Sequence, residues 1–289
     1  MTSDQKPLVI FHSPCRDGFT AAWIAAKHFH GYRSVDFLGA AYGDAPPDSR
    51  LVEGRQVFIL DFSYSREEIE AIADEAESVV VLDHHETAER ALSGSWGSNV
   101  EVVFDMERSG ARLAWDHWFG GDPPEIVRYI EDRDLWRWEL PDSREISAYI
   151  GTLPYSLSAW DQLETDLSTE TGRIEVAGIG AAVLRRDRQH VERAAEGAEI
   201  LCGIPFVNSC VLQSDIGDWL KEGVPFVVIW WVENGVYRYS LRSGPDGANV
   251  AEIAESFPGG GGHKHAAGFR AGSPALVIHN LVQNGFVPR

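Results

Sequence analysis

The 289-residue chain is 44% hydrophobic with a mean hydropathy of −0.19, and none of its apolar runs approaches the roughly eighteen residues that cross a bilayer. That composition describes one large globular domain or two modest ones, with no membrane partner. Its 44 acids outnumber 25 Lys and Arg, giving a net charge of −19 and a pI near 4.8, which excludes long duplex nucleic acid unless basic residues gather locally.

Residues 1–7 are polar and lead straight into a strand, unlike a signal peptide, so a cytoplasmic location is expected. Leu8-Val9-Ile10-Phe11 reads as an apolar strand ending at His12. The loop Ser13-Pro14-Cys15-Arg16-Asp17-Gly18 follows, then an alanine-rich helix over 19–30, which is the opening of a doubly wound sheet. The loop sets His12, Cys15 and Asp17 at the strand's carboxyl end, where Asp17 would equally serve as a helix cap. Residues 39–55, with Pro46-Pro47, read as a loop. Val57-Phe58-Ile59-Leu60 is the next strand and ends in Asp61, after which Ser65 and Glu68 make a capping box for a helix over 66–75.

Ser78-Val79-Val80-Val81-Leu82-Asp83-His84-His85 is a β-branched strand that delivers an acid and two imidazoles at its end. Ligands of open α/β sheets bind outside the carboxyl ends of strands, and carboxylate beside imidazole suits a divalent metal. Val100 to Phe104 is a fourth strand, followed by Glu107-Arg108-Ser109-Gly110-Ala111 and an amphipathic helix to about Phe119. The N–H groups at that helix start would hold an anion, or Ser109 would simply cap it. In Glu131-Asp132-Arg133-Asp134-Leu135-Trp136-Arg137-Trp138 the acids either pair with the arginines or supply a last carboxylate to the metal.

Residues 143–171 are weakly patterned and read as short helices. A long helix over 177–199 connects two halves, and from Glu199 onward six basic residues face eight acids. That balance of −2 leaves −17 in the preceding chain: acid for a metal-binding half, then a near-neutral part suited to a small anion. Strands over 206–212, 225–233 and 236–242 follow, the last two joined by the hairpin signal Asn234-Gly235. After a helix over 249–256 comes Pro258-Gly259-Gly260-Gly261-Gly262-His263-Lys264, where successive glycine N–H groups would cradle phosphate. Cys15, Cys202 and Cys210 are odd in number and lack Cys-x-x-Cys spacing, so no disulfide framework is expected.

In this order the motifs resemble the DHH family of metal-dependent phosphoesterases, with the DHH-associated C-terminal domain, over almost the whole chain. The fold this implies is α/β: a mainly parallel sheet flanked by helices over 1–170, a connector helix over 171–199, and a smaller α+β domain with a mixed sheet over 200–289. The resemblance implies that His12, Asp17, Asp61, His84 and Asp132 bind one or two Mn²⁺ ions, or Mg²⁺ or another divalent ion, with Asp61 as the bridge. It implies that Asp83 orients a histidine and that His85 faces the scissile phosphate. Arg242, Ser243, Gly261, Gly262 and His263 would bind substrate. Family members usually carry Asp-x-Asp where this chain has Cys15-Arg16-Asp17. Cys15 therefore either adds a thiolate ligand or removes a ligand, and Arg16 becomes a further candidate for the substrate phosphate.

The activity implied is hydrolysis of a phosphodiester in a short oligonucleotide, a linear dinucleotide such as pApA, or a cyclic nucleotide. The alternatives are a 3′-phosphoadenosine phosphatase, a pyro- or polyphosphatase, and a nucleotide sensor without turnover. A homodimer is compatible with the sequence.

Overall fold

The computed structural model describes residues 5–31 and 33–288 and forms two compact units, one up to Leu184 and one from Arg185. The first unit alternates strand and helix: β1 (Leu8–His12), α1 (Arg16–His28), β2 (Asp36–Ala40), α2 (Ser49–Val52), β3 (Gln56–Leu60), α3 (Arg66–Glu75), β4 (Ser78–Asp83), α4 (Glu86–Ala91), β5 (Val100–Phe104) and α5 (Gly110–Trp118). Four more helices follow: α6 (Glu125–Asp134), α7 (Ser143–Ile150), α8 (Leu157–Leu167) and α9 (Glu170–Glu196). The strands pair in parallel in the order β2-β1-β3-β4-β5.

Both faces of this sheet are covered, which is why its strands read as unbroken apolar runs. Ile10, Ile59 and Val81 lie in register and enter one core with Phe62 and Ile69. Val9, Phe58, Leu60 and Leu82 face the other way, into a core built on Trp23, Leu113, Ile126 and Trp160. Period-two alternation therefore feeds two cores from one sheet. The capping box of α3 forms as expected, Ser65 Oγ accepting from Glu68 N while the Glu68 carboxylate accepts from Ser65 N. The stretch read as a loop before Val57 contains the short helix α2, and β2 before it is a further edge strand, half-exposed and without apolar alternation.

In the order 2-1-3-4-5 the chain runs outward from β1 in both directions. The crevice of such a sheet opens where that reversal occurs, between the carboxyl ends of β1 and β3.

The second unit continues with β6 (Glu199–Leu201), β7 (Ile204–Asn208), α10 (Gln213–Leu220), β8 (Val227–Glu233), β9 (Val236–Arg242), α11 (Val250–Glu255), β10 (Gly261–His263), β11 (Ala266–Ala271) and α12 (Pro274–Gln283). Its six-stranded mixed sheet has the order β10-β11-β9-β8-β7-β6, with only β7 and β8 parallel. Asn234 and Gly235 both take positive φ, 51° and 79°, in the two-residue turn between β8 and β9. Phe257 and Phe269 stack at 4.0 Å in a core shared with Tyr239, Leu241 and Ile253. No helix among the described residues is long and apolar enough to cross a membrane.

Candidate metal centre

Three elements of the first sheet deliver their last residues to one place. His12 ends β1, Asp61 follows β3, and Asp83 ends β4 with His84 and His85 behind it. Asp61 N still reaches Leu82 O at 2.9 Å, and a φ of +62° then turns the chain, a conformation that aspartate tolerates and most residues do not. A non-glycine residue held this way at a strand end, 1% exposed, is the kind of strain that collects at functional sites.

The two Asp61 oxygens face different neighbours. Oδ1 lies 3.1 Å from His84 Nε2, and Oδ2 lies 3.4 Å from His12 Nδ1 without a hydrogen bond of its own. His84 Nε2 is also 3.7 Å from Asp17 Oδ2 and 3.5 Å from Asp134 Oδ2. Within the first unit, candidate ligand atoms form two groups, His12–Cys15–Asp61 and Asp17–His84–Asp134, each within 4.8 Å.

The start of α5 fixes Asp17. Gly110 N and Ala111 N donate to its two carboxylate oxygens at 2.5 and 3.0 Å, so the anion expected at that helix N-terminus is the Asp17 side chain. Ser109 Oγ accepts from Arg112 N as an ordinary cap at the same end. Gly110 is required because a Cβ there would sit 2.5 Å from Asp61 Cβ. Nothing in the local sequence around Ser109-Gly110 announces this contact, since its partner lies 93 residues away.

The electrostatics follow from two buried carboxyls, Asp17 and Asp61, and the partly buried Asp134 around one imidazole. Burial, with Asp61 and Asp134 beside it, pushes Asp17 well above the usual carboxylate range. Burial would also raise Asp61, but the imidazoles of His12 and His84 overcome it and hold that carboxyl well below its ordinary value. Burial works against the protonated form of His84, and the contact with Asp61 and the charges of Asp134 and Asp17 raise it to about 10. Burial and the carboxylates of Asp61, Asp134 and Asp17 push the Cys15 thiol up. An orphaned carboxylate oxygen, crowded acids and adjacent imidazoles make a donor set that fits divalent cations.

Asp83 stands outside these two groups and holds the turn together. Its Oδ1 accepts from His84 N at 2.7 Å and meets His85 Nδ1 at 2.6 Å, and its Oδ2 accepts from Ser63 Oγ at 2.7 Å. The contact fixes the His85 ring and directs Nδ1–H to the carboxylate, so proton exchange with a substrate would run through Nε2.

Asp132 is the correction. It sits two residues from Asp134 on α6, about 200° around the helix, so the two side chains leave in opposite directions. Asp132 accepts from Glu139 N at 2.9 Å and from Ser143 Oγ, and it lines a separate polar cleft of about 600 Å³ with Arg112, Glu131 and Arg137. The carboxylate that reaches His84 is Asp134. The resemblance points to Asp132, and sequence spacing cannot separate the two acids because it carries no information on helix phase.

Arg16 turns its guanidinium to α7, donating to Ser147 O at 3.0 Å and to Ser147 Oγ at 3.3 Å. In the second unit Arg242 donates to Ser240 Oγ, Leu241 O and Ser214 Oγ, all within 2.9 Å, and Ser243 Oγ meets His265 Nδ1 at 3.0 Å. The glycine run is not an open cradle along its length. Gly261, Gly262 and His263 form β10 against β11, and a Cβ on Gly260 would lie 1.9 Å from Ala254 O. Close backbone approach accounts for Gly260 and for Gly262, where a Cβ would lie 2.6 Å from Ala266 O.

No family model matches the chain. It is 28% identical over 291 residues to an uncharacterised protein of Acanthamoeba polyphaga mimivirus, covering 92% of this chain and 67% of that protein. It is 26% identical over 238 residues to the oligoribonuclease NrnB of Bacillus subtilis, covering 73% and 58% respectively. The distant likeness to NrnB supports a DHH-like fold. The chain spans between 58% and 67% of the length of these two curated relatives. Among solved structures, an exopolyphosphatase-related protein from Bacteroides fragilis aligns over 97% of this chain and 91% of its own at 14% identity and a TM-score of 0.47. An uncharacterised protein from Helicobacter pylori aligns over 96% and 98% at 15% identity and a TM-score of 0.45.

Proposed function

We propose that this protein is a divalent-metal-dependent phosphoesterase that hydrolyses short oligonucleotides or linear dinucleotides. The observation that carries the reading is Asp61, buried at the sheet's switch point with one oxygen toward His12 and the other toward His84. The likeness to an oligoribonuclease adds the substrate class. His12 and Asp61 with Cys15, and Asp17, His84 and Asp134, are the residues that would hold Mn²⁺ or a similar ion. A pair of such ions supplies charge neutralisation at a phosphoryl group and acidifies a water.

The chain's own residues do the remaining work. Asp61 spaces the two groups, and the N–H groups of α5 keep Asp17 turned into the site. Asp83 holds the His85 ring so that its Nε2 presents a proton to the leaving oxygen. Arg242 of the second unit is the candidate to hold a second phosphate, with Ser243 next to it in the chain and His263 two strands away, through Ala266, in the same sheet.

Purified protein would be profiled with Mn²⁺ against di- to pentanucleotides, cyclic nucleotides, 3′-phosphoadenosine compounds and polyphosphate. Fastest turnover is expected on the shortest linear oligonucleotides. Turnover confined to polyphosphate, or nucleotide binding with no turnover on any substrate, would discard the proposal.

A further inference from the structure

We propose that Cys15 makes the two halves of this centre chemically unequal, so that the chain holds one thiophilic ion such as Zn²⁺ or Co²⁺ beside one oxygen-seeking ion such as Mn²⁺ or Mg²⁺. The inference rests on the phosphoesterase reading above and concerns what that reading leaves open, the identity of each ion. One group of donors offers nitrogen, sulfur and oxygen from His12, Cys15 and Asp61; the other offers two oxygens and one nitrogen from Asp17, Asp134 and His84. Thiolate ligands select soft or borderline ions, whereas carboxylate-rich sets suit Mn²⁺ and Mg²⁺. Cysteine sulfur, histidine nitrogen and aspartate oxygen are each established zinc donors.

The second observation is independent of the sulfur. Asp61 Oδ2 belongs to the group that contains Cys15, its side chain is 2% exposed, and it faces His12 Nδ1 at 3.4 Å with neither atom making a hydrogen bond. A buried carboxylate oxygen left so is expensive unless something else satisfies it. Asp61 Oδ1, by contrast, is engaged by His84 on the other side. The fold also keeps the sulfur available. Cys15 is the N-cap residue of α1 with extended backbone, φ −139° and ψ 138°, and its side chain makes no capping hydrogen bond. Its carbonyl accepts from Phe19 N at 3.0 Å, which anchors the residue through the main chain. The remaining cysteines, Cys202 and Cys210, belong to the second unit.

The test uses full-length protein stripped of metal and reloaded. With Co²⁺ the wild type is expected to show a sulfur-to-cobalt charge-transfer band in the near ultraviolet. Cys15→Ser should lose that band, and a Cys202→Ser, Cys210→Ser double variant should keep it. Limiting Zn²⁺ bound by the wild type should resist displacement by excess Mn²⁺. In Cys15→Asp that preference for Zn²⁺ should fall by about tenfold or more, since even outer partners of a metal ligand are worth that much. Co²⁺ bound without the band, or a band that survives in Cys15→Ser, overturns the proposal and leaves the metal centre standing. A wild type that binds no divalent ion overturns both.

Discussion

At the scale of single residues, the centre depends on which of two neighbouring acids turns inward. Asp134→Asn should weaken Mn²⁺ binding by at least about tenfold, the cost typical of disturbing a metal's surroundings. Asp132→Ala should leave that affinity alone and cost roughly 1–3 kcal/mol of stability, because Ser143 Oγ and Glu139 N lose a buried acceptor. Metal titration and thermal melts on both variants check the pair, and the reverse pattern would restore Asp132 as the ligand. The sequence makes His12, Asp17, Asp61 and His84 visible because each follows an apolar strand at its carboxyl end. It leaves Asp132 and Asp134 undecided, since both lie on one helix and only packing selects its inward face. The left-handed backbone of Asp61 is equally illegible, as aspartate occurs in ordinary conformations far more often.

At the scale of elements, strand β4 and the capping box of α3 were legible because they obey local rules, and α5 was legible as a helix but not as a clamp. Gly110→Ala tests the clamp. The added methyl would meet Asp61 Cβ at 2.5 Å and Asp61 Oδ1 at 2.8 Å. Relieving that overlap moves Asp61, and a misplacement of about 1 Å at a reacting centre costs about a hundredfold in rate, so turnover should collapse while circular dichroism stays unchanged. Wild-type turnover in this variant would show that α5 does not position the site. Helices α1 and α5 also end side by side, bringing three imidazoles together. Burial, then His117 and His30, lowers the His28 value below its ordinary 6.5. The unfolded chain therefore takes up that proton first, so this contribution is complete above 6.5 and is lost as pH falls through and below it. Melting temperature should drop with acidification in the wild type and drop less in His28→Gln. Three elements that the sequence did not reveal lack a strong local signal. Strand β2 is a half-exposed edge without alternation, and α2 has only four residues. Helix α10 has its N-cap at Leu212, which lacks a capping side chain and takes a φ of 57°.

At the scale of the whole molecule, nearly all the negative charge lies before Glu199, in the part that carries the centre. That polarity suits metal ions and short anions better than a long strand. The second unit's role is tested through Arg242, whose side chain passes Gly217 so closely that a Cβ there would lie 2.4 Å away. Arg242→Ala should slow dinucleotide hydrolysis by roughly tenfold to more than a hundredfold, the kinetic equivalent of about 1.5–3 kcal/mol for a charge-assisted bond. It should slow bis-(p-nitrophenyl) phosphate much less and leave metal content unchanged, whereas equal losses on both substrates would assign Arg242 to the fold or to the reacting phosphate. The most direct test of the metal centre itself is turnover of pApA by the wild type and by Asp61→Asn, before chelation, after it, and after readdition of Mn²⁺. Hydrolysis that vanishes with chelation, returns with Mn²⁺, and is absent throughout in a folded Asp61→Asn variant is the predicted result; hydrolysis that survives either chelation or the loss of the Asp61 carboxylate would contradict it.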